Sequence, residues 1–369
     1  MKILAPFVFG VLILCLAAPA LATATRVITD MAGRKVQIPV TVDRVLCSGP
    51  GCLRYLTYLQ GQDRIVGVDS IEKRRNPFDA RPYALANPQF KAMPLFGEFR
   101  GFDSPELILG LEPQPQVIFK TYKNMGHDPD ELQAQTGIPV ICLSYGNLAS
   151  KRQLIYDSLR LMGEVLSKQD RATKLCEFIE NTITDLAHRT ADIPKSDRPS
   201  CYVGGIAKKG PHGLQSTEPT YPPFSFVNAN NVALPPPGQG KPLQHAQVSK
   251  EQILAWNPPI IFVDLSSTRL GEKAGAINEL KNDRAYQELE AVKKGRLYLL
   301  LPYNWYAPNY GSIIADAFYV GKVLYPERFK DINPKAKANE IYTFMVGQPV
   351  FSLMDKAFIE PAFTALKLR

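Results

Sequence analysis

Arg100, Lys208, His212, Trp305 and Tyr306 are the residues of this chain whose types suit a ligand best. Arginine and lysine pair with carboxylates, catecholates and other anions, rings cover flat organic surface, and histidine ligates a metal or donates to an anion. They belong to a wider set of cations (Arg74, Arg75, Lys123, Lys209, Arg269) and aromatics (Tyr122, Tyr145, Tyr221, Tyr310), all in segments that read as loops. Cations interleaved with rings suit a bulky anionic chelate. The remaining histidines, His127, His188 and His245, are scattered, and no H-x-H or H-E-x-x-H pattern occurs. A bare zinc or manganese site built from histidines is therefore not expected. Without G-x-S-x-G or a P-loop, no catalytic residue is assigned and no cofactor is expected.

A second pair of groups is marked by repetition. Residues 104–113 and 249–258 both follow S-x-E-x-I-L-x-x-x-P, which places Glu106 and Glu251 at matching positions. Serine caps a helix by accepting from a first-turn amide, and glutamate in that turn complements the helix dipole. Capping alone accounts for either copy. It does not account for the recurrence of a short helix, a proline and then an apolar strand (Val117-Ile118-Phe119, then Ile260-Ile261-Phe262-Val263). The repeat predicts two similar α/β lobes, each presenting one acidic group.

The elements that must position these groups follow from pattern. Arg26–Asp30 and Arg34–Pro39 alternate around Ala32-Gly33, predicting an opening hairpin. Strands are expected at 45–47, 65–68, 117–119 and 140–143, with a helix at 52–59 behind the turn Gly49-Pro50-Gly51. Strands separated by helices imply a mainly parallel sheet. Ile155, Leu159, Met162 and Leu166, then Ala172, Leu175, Ile179, Ile183 and Leu186, keep helical spacing. Ser167-Lys168-Gln169-Asp170 reads as a capping-box start, and from Lys168 to about Arg189 the helix would be roughly 33 Å long. A second set of strands is expected at 201–205, 260–263 and 297–301, around an irregular stretch at 206–246, with helices from Asn333 onward. Open α/β sheets bind ligands outside the carboxyl ends of their strands, and that rule selects the loops holding the residues named above.

Bulk properties agree. The chain has 369 residues, 45% hydrophobic, which suits two domains and excludes a disordered protein. Lys2, the apolar run Val8–Ala18 and Ala20-Leu21-Ala22 read as a cleavable export signal. Cys15 invites lipid anchoring, but the large residues before it argue against that. The net charge of +8 suits anionic ligands; no Lys/Arg block points to nucleic acid. Cys47, Cys52, Cys142, Cys176 and Cys201 follow the signal, so one disulfide is plausible and at least one thiol stays free.

The order of several fragments gives the chain a family resemblance. Asp30–Pro39 with Arg44-Val45, Leu59–Val68, Val248–Leu254 and Leu324–Phe329 resemble, in sequence, the periplasmic substrate-binding proteins that feed iron complexes or cobalamin to ABC importers. The resemblance implies two doubly wound, Rossmann-like lobes bridged by one long helix, with ligand held between them. The expected units are a signal peptide at 1–22, one lobe at 23–150, a connecting segment at 151–197 and a second lobe with a helical tail at 198–369. It also implies that Glu106 and Glu251 dock into arginines of the membrane permease dimer. The leading reading is a monomeric periplasmic protein that carries a chelated metal (a ferric siderophore, haem or a cobamide) to that permease. A second reading replaces the chelate by an oxyanion such as molybdate or tungstate. A third is an enzyme, a metal chelatase on a similar scaffold.

Overall fold

The computed structural model describes residues 24–74, 78–236, 238–240, 243–358 and 361–368; the expected signal segment and Cys15 lie outside them. Val45–Ser48, Val117–Thr121 and Val140–Leu143 form a parallel sheet with Val117–Thr121 in the middle. All of these strand residues are buried. Parallel sheets are covered on both faces, which is why these strands read as apolar runs and not as alternation. An isolated parallel bridge, Val45 to Ile65, carries the lobe on towards a smaller sheet of Val68–Asp69, Leu95–Glu98 and Phe102–Asp103. The strand expected at 65–68 is thus displaced: Ile65 only bridges, and the strand is Val68–Asp69. It stops because the Asp69 carboxylate caps the helix Ser70–Lys73, accepting from the Ile71 amide. The opening hairpin, Thr25–Thr29 with Lys35–Pro39, forms as expected and is tied to this lobe by Met31 donating to the Cys142 carbonyl.

The second lobe holds Asn230–Asn231, Ser200–Gly204, Ile261–Asp264 and Leu297–Leu300, in that spatial order and all parallel. The two lobes are joined by Gln169–His188, a helix of 20 residues and about 30 Å. Ala172, Leu175, Ile179, Ile183 and Leu186 form its buried face, as their spacing predicts. The capping box does not form. Ser167 adopts a left-handed conformation (φ 54°), and Lys168 takes the cap position without a side-chain bond. A tight reversal sets the helix start instead, with the Lys168 amide donating to the Gly163 carbonyl at 2.7 Å.

The tail contains the helices Pro334–Val346 and Phe351–Asp355, preceded by Tyr310–Leu324. It serves both lobes. Gln60 donates to the Met345 carbonyl, and the Phe78 and Phe358 rings lie 5.1 Å apart. The last residues then return to the second sheet through an antiparallel bridge from Ala365 to Tyr298. No disulfide links the described cysteines, although one was plausible from sequence: Cys47, Cys52, Cys142, Cys176 and Cys201 are buried free thiols. Cys52 instead donates to the Phe119 carbonyl at 3.3 Å, held in the packing of helix on sheet.

Candidate functional site between the lobes

The carboxyl ends of both sheets face a shared cleft. From the first lobe come Pro50, Ile71, Arg74, Phe78, Asp79, Arg81, Phe99-Arg100, Tyr122 and Tyr145; from the second come 206–211, Arg269 and 303–308. Asn304 lies on the boundary between two chambers, of about 380 Å³ and about 330 Å³. Its amide is fixed by donating to the Ala207 carbonyl at 2.6 Å.

Chamber one is cationic and aromatic. Arg74 and Arg100 lie over the Phe99 ring, 4.2 and 5.2 Å from its centre. Arg269 lies 3.9 Å from the centre of the Trp305 ring, whose neighbour Phe78 stacks at 5.1 Å. Among the described residues, Arg74, Arg100, Lys209 and Arg269 form no ion pair, and the chamber's one carboxylate, Asp79, is already engaged by both Nε and Nη2 of Arg81. Glu72 holds the other side of Arg81. Partial burial lowers the pKa of Arg269 below its ordinary value.

The wall between the chambers is an arch, Trp305–Pro308. Arg54 of the first lobe, completely buried, donates to the carbonyls of Trp305, Tyr306 and Pro308, each at 3.0 Å, and to Tyr145 Oη. Tyr306 Oη donates to Asp69 Oδ2 at 2.5 Å and accepts from the Arg100 amide at 2.9 Å. The arch is therefore a second-lobe loop held by first-lobe groups. Its backbone is strained, with Tyr306 at φ 49° and Ala307 at φ 66°. Arg100, Tyr122 and Lys209 are left-handed as well, so strain concentrates on cleft residues, as it does at functional sites. Gly51, at φ 84°, has to be glycine: a Cβ there would sit 2.2 Å from the Tyr145 ring.

Chamber two is more polar. Tyr122 and Tyr145 stack at 5.8 Å along one side. Lys151, Lys208, Glu218, His245 and Tyr303 line the rest. Burial, and then Asp264, push Glu218 up to about 8 against the pull of Lys208. Burial lowers His245, helped by Lys208 and His212.

Of the ligand residues expected from sequence, Arg100, Trp305 and Tyr306 meet in chamber one, and Lys208 lines chamber two. His212 lines neither; its Nε2 bonds the Lys208 carbonyl at 2.8 Å, so it braces the loop. From the wider set, Tyr221 and Tyr310 are core residues, fully buried. Tyr310 donates to the Gly146 carbonyl under the tyrosine stack. Sequence reasoning passed over Arg54, Asp69, Phe78, Arg81, Glu218 and Asn304. The Asp79-Ala80-Arg81-Pro82 turn carried one available signal, since Asp79 accepts from the amide and the guanidinium of Arg81.

Glu106 and Glu251 are both exposed in the first turns of their helices, Pro105–Leu109 and Lys250–Trp256. Ser104 and Ser249 cap those helices, accepting from the Leu107 and Gln252 amides. Glu106 closely follows Asp103, which is tied to the carboxyl edge of the first sheet; Glu251 closely follows Val248, which is tied to the segment before Ser216–Thr217. Asp103 bonds Ser48 and Lys120, and the Val248 amide donates to the Gln215 carbonyl. The Glu106 carboxylate is held below its ordinary pKa by its own backbone amide and then by the Ser104 hydroxyl.

Buried acids give the fold a pH dependence. Burial raises Asp69 and Asp264 from 3.8 to about 7, with Glu72 adding to the rise at Asp69. Glu218 rises from 4.5 to about 8. Folding favours the neutral form of all three. The stability they contribute is complete below about pH 4 and is lost as pH rises through about 7–8. Urea unfolding should therefore give a lower stability at about pH 9 than at about pH 5, by on the order of a few kcal/mol. Equal stabilities at the two values would show that these carboxyls are not held neutral.

Comparison with known proteins places this architecture. A family model described as "Periplasmic binding protein" matches residues 47–303. Molybdate-binding protein MolA of Haemophilus influenzae is 26% identical over 342 residues, 87% of this chain and 91% of the relative. The structure of that protein bound to molybdate superposes with a TM-score of 0.64, at 24% identity, covering 88% of this chain and 98% of the other. A periplasmic solute-binding protein of Veillonella parvula gives 0.66 at 18% identity, covering 88% and 93%. Among the described residues no helix is long and apolar enough to cross a membrane. With a family match over most of the chain, two parallel-sheet lobes and a cleft at their carboxyl ends, this chain belongs to the periplasmic binding protein family and is a substrate-binding protein of an ABC transporter.

Proposed function

We propose that the cargo is an anionic metal chelate, held in chamber one and delivered to the permease. The supporting observation is the set of ring-stacked guanidinium groups of Arg74, Arg100 and Arg269 facing a space of about 380 Å³. Stacking orients each guanidinium while its donors stay available to carboxylate or catecholate oxygens, and Phe78, Phe99 and Trp305 cover the organic part. No chemistry on the cargo is required. Native mass spectrometry with metal analysis, on protein taken from its own periplasm, should find one organic metal complex per chain. A bare oxyanion, or no small molecule under any metal supply, would refute the reading. Arg269→Ala should weaken loading of that complex by about tenfold, through loss of an ion pair and a ring contact.

A second reading, a molybdate-type oxyanion, is favoured by the molybdate-binding relative at 26% identity. A chelate of iron or cobalt colours the protein or alters its absorption, whereas molybdate leaves it colourless.

A further inference from the structure

The chain just before Glu106 brings more to that surface than one carboxylate. Phe102 is 60% exposed, although its neighbour in the strand, Asp103, is buried against Ser48 and Lys120. Side chains alternate along an extended chain, and Ser104 is extended too, so Phe102 and Ser104 point to the same outer face. The Ser104 hydroxyl donates to Glu106 Oε2 at 3.0 Å and draws that carboxylate onto the face. Across the antiparallel ladder, Phe102 stands directly opposite Glu98, which is also exposed and accepts from the Ser70 hydroxyl. Directly opposed residues share a face, with Cβ atoms about 4.5–5.5 Å apart. An open aromatic ring is thus flanked by two carboxylates. Among the described residues, Glu98 and Glu106 form no ion pair, and the Phe102 ring meets neither another ring nor a cation. None of the three lines either chamber.

We propose that Glu98, Phe102 and Glu106 form a cradle for one arginine of the permease's periplasmic face, with the Phe102 ring as its floor. Charge and shape choose the occupant. Two unpaired carboxylates side by side, on a chain of net charge +8, call for a cation. A guanidinium is planar: it stacks on the ring and sends N–H groups, in its own plane, to carboxylates on both sides. An ammonium is a compact point charge and cannot do both. The cradle rests on the docking role of Glu106 and goes beyond it, because an exposed carboxylate–arginine pair alone is weak and the ring adds a second hold on the same group. It is a feature of the first lobe. Two residues before Ser249 the second lobe has Gln247, and among the described residues the Ser249 hydroxyl accepts from the Gln252 amide without bonding Glu251.

Equilibrium binding of the purified protein to its cognate permease in lipid nanodiscs tests the cradle. Phe102→Ala and Phe102→Leu should each weaken docking by about fivefold, because leucine keeps an apolar contact but has no ring face. Phe102→Tyr should dock as the wild type does. Glu98→Gln should weaken docking by about threefold, and Gln247→Ala, at the matching place on the second lobe, should change nothing. Cargo affinity should stay at the wild-type value in all five variants, and thermal unfolding confirms that each is folded. Wild-type docking by Phe102→Leu or by Glu98→Gln would overturn the cradle. So would a loss of cargo affinity in Phe102→Leu, which would show that Phe102 acts through Arg100 and chamber one. The docking role fails separately. If reversing charge at both Glu106 and Glu251 leaves docking undiminished, that role falls and the cradle with it; if reversal abolishes docking while Phe102→Leu docks normally, only the cradle falls.

Discussion

Reversing charge at both Glu106 and Glu251 should abolish cargo uptake in cells while leaving cargo affinity in solution unchanged. Both side chains are exposed at the first turn of a capped helix, one on each lobe, and neither lines the cleft. An exposed carboxylate–arginine pair is worth only about 0–1 kcal/mol, which suits a carrier that must dock and leave repeatedly. Reversal does more than delete that gain. If each glutamate docks against a permease arginine, lysine in its place adds like-charge repulsion of several kcal/mol, and two such contacts act on one docking event. The single reversals should each lower uptake by about tenfold, since one lobe can still engage. Transport of labelled cargo, alongside equilibrium binding to the purified variants, checks this. Undiminished uptake in the double variant would remove the docking role.

Arg54→Ala should be the most damaging single change in the cleft. The guanidinium makes four bonds, and three of them end on carbonyls of the opposite lobe. Truncation leaves the Trp305 and Tyr306 carbonyls without that partner in a half-buried arch. Losing buried hydrogen bonds of a charged group costs about 3–5 kcal/mol. The functional loss should be greater than the stability loss alone implies. The arch carries Trp305 and Tyr306 into chamber one and is held in left-handed conformations that need outside support. Cargo affinity should fall by more than about tenfold, even where the variant remains folded. Arg54→Lys should not rescue it, because a single ammonium cannot span three carbonyls and a phenol in the same fork. Chemical denaturation and cargo titration of both variants provide the check; wild-type affinity in Arg54→Ala would show that the arch stands without it.

Much of the framework was legible along the chain. The apolar runs at Val117–Thr121, Val140–Leu143 and Ile261–Asp264 declare buried parallel strands because nothing on them needs to face water. The repeated serine and glutamate declare two short capped helices because capping is local: donor and acceptor lie within one turn. The linking helix was legible from its apolar stripe and starts where expected, at Gln169 behind Lys168, but not through the expected cap. Ser167 resembles a cap in sequence, while the reversal at Gly163 and Lys168 sets the backbone.

The cleft was legible only as a collection of loops. Of the residues singled out on those loops, Arg100, Trp305 and Tyr306 share a chamber. Lys208 lines the other chamber, and His212 lines neither because its ring bonds the Lys208 carbonyl within the same loop. What sequence alone determined, then, was which segments form sheets, where their carboxyl ends lie and where two acidic groups stand, because periodicity, capping and turn chemistry act over a few residues. Tertiary structure decided that Arg54 reaches from a first-lobe helix to an arch more than two hundred residues later, and that Glu218 is buried next to Asp264 and Tyr303. Those are long-range pairings of polar groups with no periodic signature, and their strength comes from burial, which only the assembled lobes supply.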